Sequence, residues 1–249
     1  MTPSAPKLRK VLSLLLAYSG QVVPISSLMA ELWDENPPSS CLTTVQTYIL
    51  SLRKLFAAGM GTSNIEVSRQ VLLTESGGYR FRATAADLDI EQYNGLVVAG
   101  RRSLGGGDDD AAIRQLGDAL RLWRGPALAG VPAGRMLEAE RYRLEESRLV
   151  VHEYWVDAQL RRGMYRDVLS SLAGLTVEHP LHENLHVQYM RALFLNGRRG
   201  QALEVFHRLR NNLVSELGLE PAATAQRLQR AILNEDPDLD IHMEVGRSR

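Results

Sequence analysis

Only one cysteine, Cys41, occurs in 249 residues, which excludes an internal disulfide and a thiolate zinc site. Lysine is almost as scarce: three stand against 26 arginines, a bias that points to a GC-rich genome rather than to a mechanism. No apolar run approaches the roughly 18 residues of a membrane-spanning helix. The longest, around Val11 to Ala17, is short and helically periodic, and no small-residue cleavage site follows it. A cytoplasmic protein without membrane association is therefore expected. The most telling absence is local: between Ser40 and Ala58 there is no carboxylate at all.

What is present is a globular composition, 45% apolar and 23% charged, in a chain long enough for two modest domains. The net charge of zero conceals an asymmetry. Residues 1–83 hold eight Lys or Arg against five acids, so the remainder is acidic by the same margin. A basic first third on an acidic remainder suits a nucleic-acid module attached to a protein-interaction module.

The carboxylate-free stretch SSCLTTVQTYILSLRKLFA reads as a helix with two chemically distinct faces. Leu42, Val45, Ile49, Leu52 and Phe56 recur at steps of three and four and form an apolar stripe. Thr43, Thr47, Leu50 and Lys54 point the opposite way, flanked by Thr44 and Ser51 on one side and Gln46 and Arg53 on the other. Such a face can enter a DNA major groove without repelling phosphates. The plainer reading is a threonine-rich structural helix, and its neighbours decide between the two.

Those neighbours form a recognisable order. A helix is expected from about Lys7 to Tyr18, followed by Gly20 and a short VVPI stretch. A second helix is expected to be capped by Ser26, with Ile25, Leu28, Met29, Leu32 and Trp33 on its buried side. Asn36-Pro37-Pro38 ends it. After Gly59 and Gly61, IEVSRQVLLTE and YRFRA read as two extended runs separated by Ser76-Gly77-Gly78. Helix, turn, helix, hairpin is the order of a winged helix-turn-helix, whose third helix enters the major groove.

From about Asp87 the chain reads as almost wholly helical. A repeat of 34 residues pairs Ala158 with Ala192, Leu160 with Phe194, Gly163 with Gly197, Leu169 with Leu203 and Leu172 with Phe206. That is the tetratricopeptide period, and AAIRQLGDALRLWRG reads as a preceding unit.

Four patterns invite other readings. His182-Glu183-Asn184-Leu185-His186 matches HExxH, with Glu204 downstream, yet it opens a helix inside the repeat and is read as structural. GGGDDD at 105–110 has no following Lys-Ser/Thr and reads as a turn with Asp at the next helix start. Glu145-Glu146 reads as a solvated face, and Trp33, Trp123 and Trp155 as core. No Walker A pattern occurs, and neither an enzymatic activity nor a cofactor is expected.

The segment from Pro24 through Phe81, with PP-S-S-x-L-T-T-V-Q-T-Y and G-G-Y-R-F, resembles the OmpR-type output domain. KLRKVLSLLL, QVVPISSLMAELW, LTTVQTYILSLRKL, GGYRF, ALRLWRGPALAGV, HPLHENL, MRALFLNGRRGQALEVFHRLR and ELGLEP resemble the Streptomyces antibiotic regulatory protein family over nearly the whole chain. The resemblance implies a mainly α protein. Residues 1–86 would form a winged helix-turn-helix DNA-binding domain, and residues 87–249 a tetratricopeptide-like bacterial transcriptional activator domain. It further implies a homodimer on promoter direct repeats of double-stranded DNA, recruiting RNA polymerase and its sigma factor at secondary-metabolite genes. Thr43, Thr44, Gln46, Thr47 and Ser51 would lie closest to bases, with Arg53, Lys54 and, in the wing, Arg80 nearer phosphates. Lys7, Arg9 and Lys10 would add backbone contacts, and Tyr48 is assigned to the domain interface.

Two departures from the family stand out. Only six residues precede Lys7 where relatives begin with several strands, so either the chain starts late or its module lacks that sheet, which would leave the VVPI edge uncovered and the module less stable. Ser51 stands where many relatives have arginine, and Glu75 lies near a wing that is often basic, which lowers the expected phosphate affinity. The alternative is a tetratricopeptide interaction or ligand-sensing regulatory protein whose shortened N-terminal domain does not bind DNA.

Overall fold

The computed structural model describes residues 3, 5–83 and 88–235, and these form two compact units. The first combines the described residues up to Val98 with Asp118–Val150. The second combines Ala99–Gly117 with the described residues from Val151 on. The protein is mainly helical, with a small sheet in the first unit.

The first unit opens with α1 (Pro6–Ala17), whose proline occupies the first turn, where its missing N–H costs nothing. Val11, Leu14 and Leu15 are buried. Strand β1 (Val22–Pro24) runs directly into α2 (Ile25–Trp33). Ser26 is therefore not the cap: Pro24 holds the N-cap position in an extended conformation, and the Ile25 N–H is taken by the Gly77 carbonyl at 3.0 Å. Helix α3 (Cys41–Met60) ends at Gly61, whose φ of 65° lets the Thr62 N–H reach back to the Ala57 carbonyl at 3.0 Å.

One expectation fails at the start of the hairpin. Residues 64–70 are not extended but form α4 (Asn64–Gln70), followed by β2 (Leu72–Glu75) and β3 (Gly78–Phe81). Ser63 caps α4 by accepting the Glu66 N–H at 3.2 Å, and Val67 is fully buried beneath it. The Ser-x-x-Glu start signal outweighs the β-branched residues that suggested a strand.

The sheet has the order β1-β3-β2, antiparallel throughout, with Val23 opposite Tyr79 and Leu73 opposite Arg80. The VVPI stretch, expected to lie uncovered, is thus bonded to the wing along one edge; its other edge has no strand partner among the described residues. Val45, Ile49 and Leu52 of α3 meet Leu28, Leu32, Tyr79 and Phe81 in one core. Leu137 from α7 (Arg135–Arg161) is buried in that same core, with Leu128, Val131 and Met136 packed against it.

The remaining helices are α5 (Asp89–Gly105), α6 (Asp109–Arg121), α8 (Leu169–Glu178), α9 (Glu183–Leu195), α10 (Arg199–Leu217) and α11 (Ala223–Leu233). In the second unit the 34-residue repeat appears as repeated geometry. Gly163 and Gly197 both adopt the left-handed conformation, with φ of 74° and 73°. The following N–H closes the same bond in each, Met164 to Gln159 O and Arg198 to Leu193 O, both at 2.9 Å. Gly107 makes the same turn, with the Asp108 N–H on the Ser103 carbonyl at 2.9 Å. Asp108 then caps α6 through the Ala111 N–H at 2.9 Å, as the GGGDDD reading required. Ala158 and Ala192 are fully buried, and Leu172 and Phe206 occupy equivalent interior positions.

Candidate nucleic-acid interface

Helix α3 is held by its apolar stripe, and this fixes what it shows to solvent. Thr43, Gln46, Thr47, Leu50 and Lys54 are exposed, and Thr44, Ser51 and Arg53 are half-buried. Leu42, expected on the buried stripe, is instead 47% exposed, because the core begins only at Val45. Tyr48 is half-buried and packs against the core of the first unit.

The hydroxyls on this face are oriented by the helix itself. Thr44 donates to the Ser40 carbonyl, Thr47 to that of Thr43 and Ser51 to that of Thr47, each at 2.9 Å. Their protons are engaged on the backbone, so in these rotamers each oxygen offers lone pairs outward. Such a face is matched to donors, and the donors on major-groove edges are the amino groups of cytosine and adenine.

The two cations on the helix differ. Arg53 turns onto the wing: Nε and Nη2 both donate to the Leu72 carbonyl, at 3.0 and 2.8 Å, and Nη2 also donates to Thr74 Oγ1 at 2.9 Å. Burial lowers its pKa from the usual arginine value. This guanidinium ties α3 to β2, a role that helical spacing did not reveal. Lys54, one residue on, remains exposed. In the wing, Arg80 Nε lies 3.4 Å from Glu75 Oε1, so the hairpin carries its own counter-charge. Two basic residues of α1 also have internal partners. Lys10 Nζ donates to the Glu31 carbonyl at 3.0 Å, and Lys7 sits 5.2 Å from the centroid of the Trp33 ring.

Two further carboxylates have roles the sequence concealed. Glu145 is not part of a solvated face: its Oε1 accepts the Ala127 N–H at 2.6 Å. Glu31 is buried and accepts backbone N–H groups at the start of α7, those of Met136 at 2.9 Å and Leu137 at 3.4 Å among them. Of the tryptophans, Trp33 packs half-buried on the first core, Trp123 stacks edge-on against Tyr93, and Trp155 donates to the Ile113 carbonyl.

The HExxH residues are individually engaged. His186 is 3% exposed, with Nδ1 3.0 Å from the His182 carbonyl, and burial lowers its pKa. Glu183 accepts the Ala222 N–H at 2.6 Å just before α11, and His182 Nε2 lies 3.5 Å from Glu153. Among the described residues, no group of three or more His, Cys, Asp or Glu is arranged to hold a metal ion. No helix among them is long and apolar enough to cross a membrane. The first unit also contains a cavity of about 470 Å³, lined by Leu16, Tyr93, Trp123 and Leu144 among others and by no residue of α3.

A three-helix core with a β-wing braced to its third helix, followed in the chain by tetratricopeptide-like helix pairs, defines a winged helix-turn-helix transcription regulator. Residues 2–81 match the C-terminal domain of transcriptional regulatory proteins, and residues 88–233 match the bacterial transcriptional activator domain. The chain is 45% identical over 240 residues to the regulatory protein DnrI of Streptomyces peucetius, covering 96% of this chain and 88% of DnrI. It is 38% identical to the regulatory protein AfsR of Streptomyces coelicolor, again over 96% of this chain but only 23% of AfsR. The solved structure of Mycobacterium tuberculosis EmbR in complex with a low affinity phosphopeptide superposes with a TM-score of 0.87 at 31% identity. That match covers 95% of this chain and 62% of the EmbR chain. The chain belongs to the Streptomyces antibiotic regulatory protein family, and it is a DNA-binding transcription activator.

Proposed function

We propose that this activator reads promoter direct repeats by inserting α3 into the major groove. Thr43, Thr44, Gln46, Thr47 and Ser51 lie at base edges and Lys54 at phosphate, while Arg80 of the wing meets the backbone. Arg53 acts by fixing the wing relative to α3 rather than by touching phosphate. The observation that carries this reading is an exposed helix face with no carboxylate between Cys41 and Met60, braced to the hairpin by Arg53. Residues 1–86 are then the DNA-binding part, and residues 87–249 the part that pairs protomers and meets RNA polymerase and its sigma factor. The targets are secondary-metabolite genes, a reading supported by the Streptomyces relatives, and the protein works in the cytoplasm without an enzymatic step.

The experiment is a gel shift with promoter DNA from the chain's own gene neighbourhood, repeated across a salt series. Binding that weakens steeply with salt supports the proposal. No salt-sensitive binding sinks it in favour of a tetratricopeptide interaction or ligand-sensing protein that does not bind DNA. Footprint length and analytical ultracentrifugation of the complex report whether two protomers sit on tandem repeats.

A further inference from the structure

The middle of the exposed face of α3 is occupied by a leucine. Leu50 is 48% exposed, although helices of this kind usually turn large apolar side chains inward. It lies on one ridge with Thr43, Thr47 and Lys54, all exposed, and it follows Thr47 and precedes Lys54 by about one helical turn each. Thr47 to Lys54 spans roughly 10 Å along the axis, close to the ~12 Å width of the major groove. A side chain at the centre of that span faces base edges rather than phosphates.

The major groove offers one apolar group among the four bases, the C5-methyl of thymine. We infer that Leu50 is a specificity-determining residue that reads a thymine through this methyl group. The residues around it fit the rest of a T·A pair. Thr47 and Ser51 both have their hydroxyl protons engaged on backbone carbonyls, so their oxygens can accept from the adenine amino group. A C·G pair also presents an amino donor but no methyl, and a leucine set among acceptors separates the two. The absence of carboxylates between Cys41 and Met60 favours DNA over a basic protein surface as the occupant of this face.

The inference rests on the proposed insertion of α3 into the groove, and the test separates the two. A duplex is selected by the full chain from a randomised library, and each thymine in it is replaced in turn by deoxyuridine. That change deletes one methyl and leaves every hydrogen-bonding group in place. Affinity is measured for the native chain and for Leu50→Ala, whose fold is checked by its melting profile. The native chain is expected to lose about four-fold in affinity at one position of each half-site, the worth of one buried methyl. In Leu50→Ala the thymine and deoxyuridine duplexes bind equally, and the salt slope is unchanged. Discrimination that persists in Leu50→Ala overturns the inference, as does a native chain indifferent to deoxyuridine everywhere; salt-sensitive binding would leave the activator reading standing in both cases. Failure to select or bind any duplex removes the groove reading and the inference with it.

Discussion

The carboxylate of Glu31, on α2, accepts the backbone N–H of Met136, on α7, at 2.9 Å, bridging 105 positions of sequence. Leu137 N–H lies 3.4 Å from the same oxygen, and Gly134 N–H donates to the other. The first N–H groups of a helix have no partner within it, and a negative charge there also meets the positive end of the helix dipole. A buried carboxylate on the helix-turn-helix therefore serves as the cap of α7. Gly134 belongs to the same arrangement, since a Cβ there would stand 2.6 Å from the Glu31 carbonyl oxygen.

Removing that cap should destabilise the protein without touching the DNA-facing surface. Glu31→Ala leaves buried donors unsatisfied and is expected to cost about 2 kcal/mol, while Glu31→Gln, which keeps one acceptor, costs about half as much. Chemical denaturation of the full chain measures both. Gly134→Ala should resemble Glu31→Ala, because the added methyl displaces the carboxylate it faces. Stability unchanged in all three variants would show that the cap contributes nothing.

The adjacent cations of α3 should separate in a salt titration. Lys54→Ala removes the phosphate contact proposed for this side chain and should lower the slope of log affinity against log salt by about 0.9. Arg53→Lys keeps the charge but cannot reproduce the two-pronged bond to the Leu72 carbonyl. Its expected signature is weaker binding at unchanged slope, with lower thermal stability. Equal slope losses in Lys54→Ala and Arg53→Ala would return Arg53 to the phosphates.

These contrasts also show how far the sequence could be read. The repeat was legible because Gly163 and Gly197 each fill a position that needs positive φ, and such positions leave a residue-specific mark. The buried stripe of α3 was legible from Val45 onward by simple period. Helix α4 is hidden in the sequence because Ile65 and Val67 look like strand residues, while the Ser63-to-Glu66 start signal is only four residues long. Glu31 and Arg53 were beyond reach for a different reason. Their partners are backbone atoms, Met136 N and Leu72 O, and a backbone atom has no identity in the sequence. The outward position of Leu50 follows from the helical period, but only the fold leaves it 48% exposed and outside the first core.

In the wing, Glu75 pairs with Arg80, the cation proposed to meet the DNA backbone. Glu75→Gln keeps the side-chain shape while releasing Arg80, both residues being about one-third exposed. A pair this exposed is worth no more than about 1 kcal/mol, so affinity should rise by up to roughly five-fold. The salt slope should steepen as well, because a freed guanidinium displaces an additional counterion. An affinity that does not change would place the wing away from the backbone.

Acid should loosen the second unit through His186. Burial lowers the folded-state pKa of this imidazole, and nearby Arg208 and His182 add to the effect, while its bond to the His182 carbonyl and the charge of Glu183 oppose it. The unfolded chain keeps the ordinary value near 6.5, so below that pH it binds the proton more readily than the folded protein does. The stabilisation from a neutral, buried His186 is therefore fully present above about pH 6.5 and is lost as pH falls through the depressed folded value. Glu153, whose pKa is raised by burial, works the other way, its contribution being lost as pH rises through its own folded value. Comparing the native chain with His186→Phe cancels that opposing effect, since Glu153 is present in both. Between pH 7 and pH 5 the melting temperature of the native chain is expected to fall further than that of the variant. Parallel curves would show that His186 takes up its proton without disturbing the α8–α10 packing.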